Sequence, residues 1–157
     1  MENESLKPRD RRQKEQQAMR LDPAQCSEDD IARMVHAFYG RVRQDERLGP
    51  VFDAHIVDWS AHLAKMLDFW SSVLLGSGRY SGTPMPAHQA LPELEPELFE
   101  RWLALFQATT LAVCQPAMKA RADQFAGRIA QSLWLGWQMA NRPQDLARDL
   151  EEAQHAG

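Results

Sequence analysis

Several features that mark common protein classes are missing from this sequence. Its two cysteines, Cys26 and Cys114, lie far apart and form no C-x-x-C pair, so we predict reduced, small apolar side chains rather than a disulfide framework or zinc knuckle. No stretch approaches ~18 consecutive apolar residues, which argues against a signal peptide and a membrane-spanning helix. The net charge of −4 offers no general attraction for nucleic acid or an anionic membrane. We therefore expect a cytoplasmic protein without nucleic-acid or membrane partners.

Sequence motifs of several enzyme classes are also absent. The chain contains no G-x-x-x-x-G-K-[ST], G-x-G-x-x-G, H-E-x-x-H or G-x-S-x-G, so phosphate loops, dinucleotide sites, zincins and hydrolase elbows have no signature. No two histidines stand four residues apart on one helix, the spacing that a zinc site would favour. No segment alternates polar and apolar residues with period two, which leaves an all-α fold as the prediction.

The length and composition predict one folded domain. A chain of 157 residues with 44% hydrophobic residues is long enough to bury a single core. Residues 1–25 are highly charged and poor in branched apolar side chains, so we predict a disordered leader there. We assign the domain to residues 26–141 and a polar extension to residues 142–157.

The apolar spacing predicts about five principal helices. Ser27 and Asp30 have the form of a capping box, and the apolar stripe that follows runs to about Arg43. The sequence Leu48-Gly49-Pro50 is interpreted as a break. The other predicted helices cover residues 58–75, 84–91 and 95–113, and a last one opens at Pro116.

Histidines on apolar helix faces are the most informative functional signal. His62 shares a face with aromatic and aliphatic residues, and His88 lies in the short proline-flanked segment. Two such histidines across an aromatic-lined gap would suit a haem pocket, in which one imidazole binds iron and the other side admits a gas. The alternative is that both are core histidines bonded to backbone carbonyls, in a haem-free all-α interaction module. His36 and His55 are interpreted as surface or hinge residues.

Five segments in register resemble a group III truncated haemoglobin over roughly residues 27–140. They are F-Y-G-R-V-R at 38–43, L-G-P-V-F at 48–52, W-S-A-H-L-A-K-M-L-D-F-W at 59–70, L-L-G-S-G-R-Y-S-G-T-P-M-P-A-H at 74–88 and F-E-R-W-L-A-L-F at 99–106. The resemblance implies a truncated globin fold, a two-over-two helical sandwich around haem b. It also implies binding of O2, CO, NO or another small ligand at a pentacoordinate iron.

The resemblance also implies roles for individual residues. His88 matches the proximal histidine whose Nε2 binds the iron, and Tyr39 and Trp102 match the distal hydrogen-bond donors to a bound ligand. His62 matches the distal histidine that acts as a gate, and Phe52 matches the aromatic residue that wedges against the porphyrin. Matches to pocket-lining positions are Met66, Phe69, Trp70, Leu74, Met85, Leu91, Phe99 and Phe106, and matches to positions near the haem propionates are Arg79 and Tyr80.

Two kinds of biological task stay open at this point. One is ligand binding proper, meaning storage, delivery or sensing. The other is redox chemistry, such as NO dioxygenation, nitrite reduction or peroxidase-like activity, with an unidentified reductase as a further partner.

Overall fold

Five α-helices form the regular structure in the part of the chain that the computed structural model describes, namely residues 20–80, residues 95–141 and Pro8. They are α1 (Glu28–Gln44), α2 (Leu48–His55), α3 (Trp59–Leu75), α4 (Pro96–Val113) and α5 (Pro116–Asn141). The predicted helix at 84–91, which carries Met85, His88 and Leu91, lies outside the described residues, as do the extension and most of the leader. The described residues contain no strand, and the all-α prediction is confirmed.

The helices pack in two layers. Helices α1 and α3 contact each other in one layer, and α4 and α5 form the most extensive pair in the other. Contacts of α1 with α4 and of α3 with α5 join the layers, while α2 packs on α1 and touches α4. This is the predicted two-over-two sandwich. None of the helices in residues 20–80 and 95–141 is both long and apolar enough to cross a membrane.

The first helix begins at the predicted capping box. The Ser27 hydroxyl accepts a hydrogen bond from the Asp30 N–H at 3.1 Å, and the Asp30 carboxylate accepts one from the Ser27 N–H at 2.9 Å. Both bonds satisfy donors that the first turn of a helix leaves without intrahelical partners. The buried face of α1 comprises Ile31, Met34, Val35, Phe38, Tyr39 and Val42, as the spacing predicts.

Helix α2 was not predicted, because the sequence Leu48-Gly49-Pro50 was interpreted only as a break. It does separate two helices, but Leu48 also begins a new one. The Asp45 carboxylate accepts the N–H of Leu48 at 2.9 Å, and so caps the new helix from three residues upstream. Pro50 falls in the first turn, where its missing N–H costs no hydrogen bond. Gly49 allows a close approach to α1, since a Cβ there would lie 2.8 Å from the carbonyl oxygen of Arg43.

The remaining helices have the ends that the sequence predicts, to within a residue. Asp58 caps α3 by accepting the Ala61 N–H at 3.1 Å, and Gly76 ends it with a φ of +69°. That left-handed conformation favours glycine because it has no Cβ. Proline occupies the first position of α4 and of α5, where its fixed φ suits a helix start.

One end of the molecule is filled by its own side chains. We call this region the closed core, defined by Cys26, Ile31, Met34, Leu74, Met118 and Ala122, each of which is fully buried. The Leu21 N–H donates to the Leu74 carbonyl at 3.0 Å and fixes the chain before α1 against the end of α3. Burial raises the pKa of the Cys26 thiol to about 12 and that of the Cys114 thiol to about 11. Both cysteines are free thiols.

Candidate functional site

A cavity of about 290 Å³ opens between the two layers at the other end of α1 and α3. Aromatic and aliphatic side chains form most of its wall, with a few polar groups among them, which is typical of a site for a small molecule or cofactor. The predicted site residues that line it are Tyr39, Phe52, His62, Met66, Phe69, Trp70, Tyr80, Phe99 and Trp102. The structure therefore brings together residues from helices α1, α2, α3 and α4.

Tyr39 and His62 meet at one wall of the cavity. Their ring centroids are 5.0 Å apart and the rings are perpendicular, an edge-to-face arrangement that aromatic rings favour. Tyr39 is only 6% exposed. Burial raises the pKa of Tyr39 above its ordinary value. The hydroxyl consequently stays protonated and able to donate a hydrogen bond near neutral pH.

Trp102 reaches the same cavity from α4. Its ring packs edge-to-face on Phe38 at 5.4 Å, and Phe38 in turn contacts Tyr39 at 5.0 Å. Phe38 therefore links the two predicted distal donors without itself lining the cavity. The indole N–H of a tryptophan can only donate a hydrogen bond, so any polar contact that this N–H makes is as a donor.

Two residues predicted to line the pocket do not border the cavity in the described residues. Phe106 is 1% exposed and lies between Trp70 and Trp102, with nearly parallel rings at 5.1 and 5.7 Å. It supports two rings that do face the cavity. Leu74 belongs to the closed core.

Arg79 and Tyr80, predicted to lie near haem propionates, have different surroundings. The Arg79 guanidinium forms ion pairs with Glu28 at 2.9 Å and with Asp68 at 3.2 Å, and it does not line the cavity. The hydrogen bond from Arg79 is the largest cause of the lowered pKa of Glu28. Tyr80 lines the cavity and packs on Phe69 at 5.1 Å.

Eight further lining residues were not predicted as site residues. They are Leu48, Val51, His55, Ile56, Leu98, Ile129, Ala130 and Leu133. Four of them lie on the unpredicted α2 or directly after it, so missing that helix also meant missing this wall. His55 is exposed, as expected for a surface residue, yet it also borders the cavity. Ile129 and Leu133 lie on α5, and apolar spacing along a helix does not distinguish a residue of the core from one that borders a cavity.

The residues present fit a haem group. A porphyrin needs apolar surfaces on both faces, and here the wall is built from both helical layers. A small ligand on the iron needs hydrogen-bond donors in a dry environment, and the buried Tyr39 hydroxyl is such a donor. Fold and cavity together define a protein of the truncated-globin class.

Comparisons with known proteins support this class. No family model matches the chain. A group 3 truncated haemoglobin of Campylobacter jejuni is 39% identical over 108 residues, which cover 66% of this chain and 85% of that protein. The crystal structure of a group III truncated haemoglobin from Campylobacter jejuni matches with a TM-score of 0.67 and 33% identity, over 82% of this chain and all of that one. The chain belongs to the group III truncated haemoglobins.

Membership of this family implies a haem cofactor, because globins are haem proteins. The resemblance seen in the sequence is thereby confirmed at the level of the family and the fold.

Proposed function

We propose that the cavity holds haem b, that His88 binds its iron, and that O2, CO, NO or a similar small ligand binds on the side of Tyr39. The buried Tyr39 in a mostly apolar wall is the observation that carries this proposal. His88 lies outside the described residues, and its role rests on the family motif P-M-P-A-H at 84–88. When bound, haem supplies an iron centre that takes up a diatomic gas.

The chain contributes a donor of fixed protonation state. Because burial keeps Tyr39 protonated, its hydroxyl can donate to a ligand that gains negative charge, as O2 does on a ferrous centre. Trp102 is positioned as the second donor. Hydrogen bonds to a charged acceptor strengthen when water is excluded, and Tyr39 is almost wholly shielded from solvent. The pair should therefore retain O2 more strongly than CO, which is less polar.

His62 is proposed as the gate of the distal side. It borders the cavity, and the residue is half-buried rather than fully enclosed. The alternative position of the ring is outward, past the edge of the site. Protonation favours the outward position because a charged imidazole is costly among apolar side chains. Gas association should therefore accelerate as the pH falls from about 8 to 5.

Haem content tests the proposal at its base. We expect the purified protein to show a Soret band and a pyridine haemochrome spectrum typical of haem b, at about one haem per chain. A colourless protein that also fails to take up added haem would contradict the proposal and favour the haem-free interaction module.

The role of His88 is tested by substitution. His88→Gly should abolish stable haem retention, or yield a pocket that added imidazole restores, because the variant lacks the imidazole that binds iron. His36→Gly is the matched control, since His36 is exposed on α1 and does not line the cavity. Unchanged ferrous and CO-bound spectra of His88→Gly without imidazole would refute the assignment.

A further inference from the structure

Trp59, the first residue of α3, is held by side chains from two other helices. Its indole N–H donates to the Asp53 carboxylate of α2 at 3.2 Å. The guanidinium carbon of Arg43, in the last turn of α1, lies 4.5 Å from the centroid of the Trp59 ring, which is within cation–π range. Arg43 and Asp53 also approach each other at 3.9 Å. Three helices thus meet around one indole.

The same indole contacts both polar residues of the distal wall. Its ring lies 6.0 Å from Tyr39 and 5.8 Å from His62, in edge-to-face geometry with each. Trp59 does not itself line the cavity, whereas Tyr39 and His62 do. It therefore stands behind the two residues and can affect a ligand only through them.

The position of Trp59 bears most strongly on His62. Tyr39 is buried, whereas His62 is only half-buried, and His62 is the residue that we propose to move. Trp59 and His62 are three residues apart on α3, so the rings share one helix face. A hydrogen bond to Asp53 fixes the plane of the indole, and a fixed indole offers His62 an edge-to-face contact that is lost when the imidazole swings out.

We propose that Trp59 is a positioning residue: held by Arg43 and Asp53, it retains the His62 ring beside Tyr39 and slows the passage of small ligands. The inference rests on the gating role proposed above for His62. It adds a residue, outside the cavity, that sets how often the gate opens.

The first test measures CO association by flash photolysis of the haem-loaded protein. Trp59→Leu removes the ring contact and should accelerate association by about two- to tenfold, the range expected from the loss of one aromatic pair. Asp53→Leu, which removes the acceptor for the indole N–H and the ion pair with Arg43 but keeps the indole, should give a smaller acceleration in the same direction. Asp53→Asn retains an oxygen acceptor and should restore most of the wild-type rate. Asp53 is exposed, so these two variants keep the test available if Trp59→Leu folds poorly.

Two further measurements separate positioning from a general loss of packing. Trp137→Leu is the matched control, since Trp137 is buried and is not among the described residues that line the cavity. It should lower Tm without changing CO association. The proton resonances of the His62 ring in the CO-bound protein should move in Trp59→Leu and stay in place in Trp137→Leu, because ring currents depend on the distance to the indole.

The double variant Trp59→Leu/His62→Leu decides between the possible failures. If Trp59 acts through His62, Trp59→Leu should have no further effect on association once His62 is leucine. If Trp59→Leu accelerates association equally in the wild-type and His62→Leu backgrounds, the inference is wrong and the gate is unaffected. The same conclusion would follow if Trp59→Leu alone left both the association rate and the His62 resonances at their wild-type values. Wild-type association in His62→Leu alone would instead refute the gate of the proposed function, and this inference with it.

Discussion

The two ends of α1 pack against different surroundings. Its first turns place Ile31 and Met34 in the closed core, where both are fully buried against other side chains of the chain. Two turns later Tyr39, equally part of the apolar stripe, borders a cavity of about 290 Å³. The apolar stripe of α1 thus contributes both to the closed core, which side chains fill, and to the wall of the cavity.

Side-chain size accounts for part of this difference. Where α5 passes the closed core it presents Ala122 and Ala126, both buried, and small residues let helices approach closely. Beside the cavity the other helices carry large rigid rings, and Phe106 stacks between two of them at 5.1 and 5.7 Å. Stacked rings cannot collapse into the open volume as flexible aliphatic chains can. The aromatic part of the wall therefore helps to keep the cavity open.

Two methionines allow a matched comparison of the regions, with the largest expected effect on stability. Met34→Ala in the closed core should lower the free energy of unfolding by about 2–5 kcal/mol, because it creates a void among packed side chains. Met66 borders the cavity. Met66→Ala should therefore lower the free energy of unfolding of the haem-free protein distinctly less than Met34→Ala does, and it should weaken haem retention. Urea unfolding with and without haem measures both. Equal losses in the haem-free state would show that the cavity is closed in solution.

Tyr39 sharpens the comparison, because it lines the cavity and we propose that its hydroxyl donates to a bound ligand. Tyr39→Phe should accelerate O2 release by about 10- to 100-fold, equivalent to about 1.5–3 kcal/mol for a hydrogen bond to a charged acceptor. CO release should change far less. Stopped-flow measurement of both gases, repeated for Trp102→Phe, checks the two donors. Similar small changes for both gases would refute the donor roles, and additive effects would show that the two groups do not share one ligand.

The ion pair between Asp45, which caps α2, and Arg101 of α4 is expected to be sensitive to acid. The side chain of Asp45 is 7% exposed and accepts Arg101 Nε at 2.7 and 2.8 Å, which lowers the pKa of Asp45 to about 2. A lowered folded-state pKa adds stability above the ordinary value of 3.8, and this gain is lost as the pH falls towards 2.

Asp45→Asn tests that contact through the pH dependence of stability. At pH 6 it should cost about 1–3 kcal/mol, between the values for exposed ion pairs and for buried charged hydrogen bonds. The stability difference between Asp45→Asn and wild type should shrink as the pH is lowered from about 4 to 2. The midpoints of urea unfolding at each pH measure this difference. Asp29→Asn, at an exposed site on α1, should show no comparable narrowing. A difference that stays constant over this range would contradict the prediction.

The smallest expected effect concerns the helix end beside the closed core. Ser27→Ala removes one half of the capping box and should cost about 1 kcal/mol of stability. O2 and CO kinetics should stay at wild-type values, since Ser27 is remote from the cavity wall. Thermal unfolding together with the gas kinetics measures both. Altered gas kinetics would show that the two ends of α1 are coupled.

The sequence was sufficient for four of the five helices because their ends are encoded locally. Ser27, Gly76, Pro96 and Pro116 each mark a helix end through their own backbone or side-chain chemistry. Helix α2 lacked such a signal, since its cap is the side chain of Asp45, upstream of a Gly-Pro pair that is typical of a break. Periodicity could place Phe106 on an apolar face. It could not show that the ring lies behind Trp70 and Trp102, because that depends on how α3 and α4 cross.

The burial of the two thiols makes them reporters of opening. Only the thiolate reacts quickly with alkylating or disulfide reagents, and with pKa values raised to about 12 and 11 almost no thiolate exists at pH 8 in the folded chain. Labelling of Cys26, which is fully buried, must therefore await the separation of the leader from the end of α3. The rate at which Cys26 is labelled would report the rate of transient opening of the closed core, independently of any change in the haem spectrum.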